Sequence, residues 1–137
     1  MKILVIDGMG GGIGKSFIEK VRAEQQEIEI IAVGTNAIAT TAMLKAGADY
    51  GATGENAVVY NATRVDYIIG VLGIAFANSM HGEISPKMAE AISLSPAHKI
   101  LLPVDKCSVT VTGITASSMQ EYISEAVEKL RNQNIIQ

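Results

Sequence analysis

The stretch Lys2 to Lys20, KILVIDGMGGGIGKSFIEK, constrains the chain more than any other. Four consecutive apolar residues, Ile3, Leu4, Val5 and Ile6, read as a strand buried on both faces, as in the middle of a parallel sheet. Asp7 follows, then a loop with five glycines in seven positions (Gly8, Gly10, Gly11, Gly12, Gly14), then a helix that the pattern starts near Gly14 to Ser16. Glycines let backbone approach a phosphate, and the first N–H groups and positive dipole end of a helix point at it. The unit predicts an anion cradle for a phosphate-bearing small molecule. Its members are Asp7, Gly8, Gly10, Gly11, Gly12, Ile13, Gly14, Lys15 and Ser16.

The remaining pattern alternates strands with helices. The first helix is expected from Lys15 to Glu24, with Phe17, Ile18 and Val21 inward and Glu19, Lys20 and Arg22 facing water. A second strand is expected over 28–33, followed by Gly34-Thr35-Asn36. Asn36 is a good N-cap for a helix over 37–46, and Gly47 is suited to end it. Next comes a glycine-bearing turn, Gly51 to Asn56, into a short helix from Glu55 to Ala62. Strands are expected over 66–72 and 99–104, and Ser85 with Pro86 marks the start of the helix between them. Residues 108–112, SVTVT, alternate polar and apolar and read as an edge strand. The last helix carries a capping box, Ser118 and Glu121, and an apolar face of Met119, Tyr122, Ile123, Ala126, Val127 and Leu130.

This order predicts one α/β domain over 1–137, a three-layer Rossmann-like domain with a mainly parallel sheet of about five strands. Four Tyr, two Phe and no Trp mean that the core must be built from Ile, Val, Leu, Ala and Met. Ligands of such sheets bind beyond the carboxyl ends of the strands. The residues following each strand are therefore site candidates: the glycine loop, then Gly34, Thr35 and Asn36, then Gly73 to Glu83, then Asp105 to Cys107.

A net charge of -3, with no stripe of Lys and Arg, argues against nucleic acid as a partner. A lone cysteine, Cys107, excludes an internal disulfide and suits a reducing compartment. No run of ~20 apolar residues is present, so no membrane span is expected. No secretory signal is apparent, and a cytoplasmic location is the expectation.

Two motifs share the glycine loop. Gly8-x-x-x-Gly12-Ile13-Gly14 resembles the nucleotide loop of short-chain dehydrogenases, which implies NAD(P) with its pyrophosphate over the loop. The resemblance stops at Gly34-Thr35-Asn36, where no carboxylate holds a ribose and no Arg holds a 2′-phosphate. The family's Tyr-x-x-x-Lys is also missing, with Tyr60-x-x-x-Arg64 the nearest pattern. Gly11-Gly12-Ile13-Gly14-Lys15-Ser16 resembles instead the deviant P-loop of partition-type ATPases. That implies an adenine nucleotide, with Lys15 on its phosphates and Ser16 on Mg²⁺. Here Gly10 replaces the signature Lys, and Gly70 stands in place of the metal-linking Asp. Over Met1 to Cys107, the blocks DGMGGGIGK, GTNAIATTAMLKAGA, GATGENAVVYNA, ANSMHGEISPKMAEAI and KILLPVDKC resemble a family of small bacterial proteins described as a domain of unknown function. That resemblance implies a self-standing Rossmann-like protein and lends no reaction.

The first functional reading is thus a nucleotide- or dinucleotide-binding module, or an enzyme subunit, using Gly8 to Ser16. The alternative is an enzyme acting on a phosphorylated metabolite. His81 and Glu83, two apart beside Asn78, would then perform acid–base work at the reacting end. A structural subunit without ligand is the third reading. Thr53 to Asn56 read as ordinary capping or as a second anion site. Asp7 is a candidate for Mg²⁺ through a bound phosphate, whereas His81 and His98 are too isolated for a zinc set. The 108–112 strand and Ile135-Ile136 offer contact surface, from which a homodimer is expected.

Overall fold

The computed structural model describes residues 1–25, 27–104, 108–115 and 118–136, with side chains to Asn132. Five strands form one sheet: β1 (Lys2–Asp7), β2 (Glu29–Gly34), β3 (Tyr50–Thr53), β4 (Tyr67–Val71) and β5 (His98–Leu102). Their order is β3-β2-β1-β4-β5, and every neighbouring pair is parallel. The connecting helices are α1 (Gly12–Glu24), α2 (Ala37–Ala46), α3 (Glu55–Asn61) and α4 (Pro86–Leu94), and α5 (Met119–Ile136) follows the sheet. Parallel strands require crossovers, and right-handed crossovers place helices on both faces of the sheet.

The two faces bury separate clusters. Phe17, Ile18 and Val21 of α1, Met43 of α2 and Ile123, Val127 and Leu130 of α5 pack on Ile3, Val5, Ile30 and Ile69. Val58 of α3 and Met88, Ala89 and Ile92 of α4 pack on Leu4, Ile6, Val33 and Ile68. The central strand β1 therefore contributes alternate residues to opposite layers, which is why Ile3 to Ile6 are apolar without a break. The three-layer α/β expectation holds.

Local signals set most boundaries. Asn36 accepts a hydrogen bond from Ala39 N at 2.9 Å and starts α2, while Gly47, at φ 121°, ends it. Ser85 accepts from Met88 N at 3.2 Å with Pro86 in the first turn of α4. Ser118 Oγ accepts from Glu121 N at 3.2 Å at the start of α5.

Three expectations differ. Helix α1 begins at Gly12, earlier than its apolar face suggests, because Asp7 holds the amides of its first turn, as described below. The fifth strand is Tyr50–Thr53 rather than 108–112. Residues 108–111 belong to no strand and are exposed, so period-2 alternation there has no partner strand to pair with. Arg22 does not simply face water. Its Nε donates to Gly47 O at 2.8 Å, Nη1 to Ile28 O at 2.7 Å and Nη2 to Asp49 Oδ2 at 2.7 Å. Asp49 is pulled below its ordinary value, because against its own desolvation it accepts from Ile30 N and from Arg22.

One buried side-chain polar atom is unpaired among the described residues. Tyr67 is 1 % exposed, and its hydroxyl has no hydrogen-bond partner among the described residues. A phenolic oxygen removed from water without a partner costs stability. Tyr67→Phe is therefore expected to raise stability by about 1 kcal/mol in urea denaturation. An equal loss would show that the hydroxyl is satisfied in solution.

Candidate functional site

The carboxyl ends of β1, β2 and β4 meet along one edge of the sheet. From β1 the chain steps outward to β2 and β3, then crosses to β4 on the other side, so the strand order reverses at β1. Open sheets of this kind take ligands in the crevice at such a reversal. The glycine loop leaves β1 at this point, Gly34-Thr35-Asn36 leaves β2, and the long connection 72–85 leaves β4.

The inner amides of the glycine loop are already engaged. Asp7, 6 % exposed, accepts from Gly8 N at 2.8 Å through Oδ1 and from Gly14 N at 2.7 Å through Oδ2, and the Ile13 amide also points at its carboxylate. Asp7 thus occupies the first turn of α1 as an internal anion. Burial pushes its carboxyl above the ordinary range, and these amides only partly offset that. Gly11 N donates to Gly8 O at 2.9 Å and closes the turn. Gly11 itself has φ 73°, with Ala39 backbone 2.8 Å from where a Cβ would stand. Gly10 and Gly12 differ: both are exposed, nothing lies within 4 Å of where a Cβ would stand, and their amides make no hydrogen bond among the described residues. The outer rim of the loop is thus open, with the backbone of Gly10 and Gly12 exposed.

Over this rim sits Glu83. After β4 a 3-10 turn, Leu72–Ala75, leads into a tight segment in which Asn78, Met80, His81 and Gly82 have φ of 66°, 57°, 56° and 89°. Left-handed backbone at Met80 and His81 is costly and persists only where the surroundings fix it. Here Asn78 N donates to Ile84 O at 2.6 Å, Ile84 N to Ser79 O at 3.2 Å and Glu83 N to Met80 O at 3.1 Å. The buried Ser79 hydroxyl donates to Gly73 O. Gly73 thus anchors the segment through its carbonyl.

The segment delivers the Glu83 carboxylate to three donors. Oε1 accepts from Met9 N at 3.0 Å and from Thr35 Oγ1 at 2.8 Å, and Oε2 from Asn36 Nδ2 at 3.3 Å. Asn36 Nδ2 also donates to Met9 O at 2.9 Å, tying the end of β2 to the glycine loop. Glycine at position 8 leaves room for this closure: a Cβ there would lie 2.6 Å from Glu83 Oε1 and 2.8 Å from Met80 Sδ, so both side chains would have to shift. Gly34 opens similar room for Thr40, whose hydroxyl bonds Gly34 N at 3.1 Å and Thr53 Oγ1 at 2.8 Å.

The Met9 amide, with Thr35, Asn36 and the nearby His81, holds Glu83 below its ordinary carboxyl value, against the opposing effect of its desolvation. Its folded pKa is lower than its unfolded one, so the unfolded chain binds the proton more readily. The stabilisation is complete above the ordinary value of 4.5 and is lost as pH falls through the folded value. Glu83→Gln is expected to flatten the acid limb of the stability–pH curve below that value. An unchanged limb would mean that Glu83 does not hold these contacts in solution.

The site thus unites Asp7, Gly8 to Gly12, Thr35, Asn36 and Glu83. His81 is exposed on the same segment, close enough to Glu83 for electrostatic influence, and Asn78 is exposed at its base. Lys15 is exposed and lines a groove of about 420 Å³ between α1 and α2, with Ile38, Thr41 and Lys45. Ser16 is half-buried one position further along. Asp105, Lys106 and Cys107 lie outside the described residues, as do the side chains of Ile135 and Ile136. Thr53 bonds Thr40, and Glu55 accepts from Ser85 Oγ at 2.5 Å, so this turn joins α3 to α4. Met9, Met80 and Thr40 carry no sequence signal that singles them out. Among the described residues no set of three His, Cys, Asp or Glu side chains is placed to hold a metal ion. No described helix is long and apolar enough to cross a membrane.

A parallel 3-2-1-4-5 sheet with a glycine loop at its strand-order reversal defines a Rossmann-like α/β protein. The chain belongs to the family described as Domain of unknown function (DUF3842), whose model matches residues 2–135. No curated protein matches it. Among solved structures it is similar to a dodecameric FMN-dependent UbiX-like decarboxylase from Escherichia coli O157:H7. That similarity has 14 % identity and a TM-score of 0.42 over 97 % of this chain and 93 % of the other. Likeness of that order carries no argument about ligand or reaction.

Proposed function

We propose that this protein binds a nucleotide or dinucleotide, NAD(P) or an adenine nucleotide, through the loop Gly8 to Ser16. It acts as a binding or sensing module or as one subunit of an enzyme. The observation that carries this reading is the pair of unengaged amides on the exposed rim, at Gly10 and Gly12, where the strand order reverses. Phosphate oxygens suit such amides, while Asp7 already satisfies the inner ones and holds the turn in shape. Phosphates are expected on the rim rather than deep in the α1 terminus, where the buried Asp7 would repel them.

Isothermal titration of the purified chain with NAD, NADP, ADP, ATP, FMN and FAD tests the reading. Binding of at least one at sub-millimolar concentration is expected. No heat and no thermal stabilisation from any of them would sink it.

A second reading has one specific observation behind it. The left-handed run at Met80 and His81 holds His81 and Glu83 beside the loop, as strained segments at reacting centres do. On that reading a phosphorylated metabolite is converted, and turnover of a bound sugar phosphate would separate it from plain binding. A homodimer fits either reading, with exposed Val109, Val111 and Ile114 as contact surface, and sedimentation equilibrium reads it directly.

A further inference from the structure

We propose that Glu83, with Thr35 and Asn36, forms the subsite for the vicinal diol of a ribose, so that the ligand is an unmodified ribonucleotide rather than a 2′-deoxy or 2′-phosphorylated one. This rests on the nucleotide reading above and adds the part of the ligand that the glycine rim does not select.

In sheets of this order, the residue closing the second strand commonly holds the ribose hydroxyls through a carboxylate. This chain ends that strand with Gly34-Thr35-Asn36, which has none. The fold returns one from 48 residues further on, because Glu83 meets Thr35 Oγ1 at 2.8 Å and Asn36 Nδ2 at 3.3 Å. The carboxylate is therefore present at that strand end, although another strand's connection supplies it.

Its two oxygens are unequally used. Oε1 accepts two hydrogen bonds of ordinary length, from Met9 N and Thr35 Oγ1, which hold the group in place. Oε2 has one long contact, with Asn36. A carboxylate oxygen has two lone-pair directions, so Oε2 retains acceptor capacity for hydroxyl donors, and Glu83 is only half-buried. A hydroxyl pair is the neutral donor set that complements a fixed, ionised carboxylate. A phosphate is not, since it would bring a second anion beside Glu83, whose charge already raises the cost of ionising Asp7. The phosphates then lie on Gly10 and Gly12 and the sugar on Glu83, and a 2′-phosphate meets a carboxylate.

The test is calorimetry on the intact chain with ADP, 2′-deoxy-ADP and adenosine 2′,5′-bisphosphate, repeated on Glu83→Gln. ADP is expected to bind at least about tenfold tighter than either analogue, the scale of one charge-assisted hydrogen bond. Glu83→Gln is expected to reduce that preference to about twofold or less. Equal affinity of wild type for ADP and 2′-deoxy-ADP would overturn the diol subsite and leave nucleotide binding standing. A preference that survives intact in Glu83→Gln would equally overturn it. No binding of ADP, with none of the other nucleotides binding either, would remove both readings together. Should Glu83→Gln not fold, the wild-type analogue series decides alone.

Discussion

Gly11→Ala is expected to destabilise the protein by about 3 kcal/mol, from a left-handed penalty together with overpacking against backbone. Gly11 has φ 73°, which a Cβ disfavours whatever the space around it. The added carbon would also stand 2.8 Å from both Cα and O of Ala39. Those are backbone atoms of α2, so relief requires moving the helix and not merely turning a side chain. Urea denaturation measures the effect. Gly12→Ala is the contrasting variant, because Gly12 does not have a positive φ and a Cβ there meets nothing within 4 Å. It is expected to fold with stability within about 1 kcal/mol of wild type, at the start of a helix where Ala is the better former, and to bind nucleotide more weakly. Equal stability of the Gly11 and Gly12 variants would show that the loop does not pack on α2 in this way.

The second large effect is expected at Asp7. Asp7→Ala would leave the Gly8 and Gly14 amides, and that of Ile13, inside the protein without an acceptor. Each buried amide so abandoned costs on the order of 1–3 kcal/mol, and water entering the space left by the carboxylate recovers part. A net loss of about 3 kcal/mol is expected, which for a chain of this size lowers Tm by about 10 °C. The pH dependence distinguishes this role from a purely electrostatic one. Burial raises the folded pKa of Asp7 above its unfolded value, so the folded state binds the proton more readily. Ionisation therefore costs stability as pH rises from 3.8 through the folded value. Asp7→Asn removes that cost but turns an N–H₂ toward amide donors. It is expected to remain less stable than wild type at neutral pH. A neutral or stabilising Asp7→Asn would show that the carboxylate, as an acceptor, does not organise the loop.

These two residues show what was legible in the chain. The strand, the glycine loop and the helix follow directly from Ile3 to Ile6 and the glycine spacing. Asn36, Gly47, Ser85 and Pro86 mark helix ends because capping is decided by neighbours within four residues. The glycine spacing does not show that Asp7, one residue before the loop, engages its inner amides, because that contact is made only once the turn is closed. Strand β3 carries no clear strand signal, because Tyr50-Gly51-Ala52-Thr53 is short, contains glycine and is largely exposed at an edge. Its pairing with Ile31 to Gly34 is what makes it a strand. The 108–112 segment has the right alternation and no partner strand among the described residues. Neither the contacts of Arg22 with Gly47, Ile28 and Asp49 nor the approach of Glu83 to Thr35 across 48 residues leaves a local pattern, because tertiary packing alone creates them.

On the function proposed above, the outer rim of the glycine loop, with the ends of β1 and β2, receives a nucleotide. The most direct measurement is a ¹⁵N-resolved NMR titration of the intact chain with ADP. The largest shifts are expected at the amides of Gly10 and Gly12 and at Met9, Thr35, Asn36 and Glu83. A spectrum unchanged at saturating ADP would contradict the claim. So would shifts gathered instead around Ile114 and Tyr122, in the cleft of about 390 Å³ between β5 and α5.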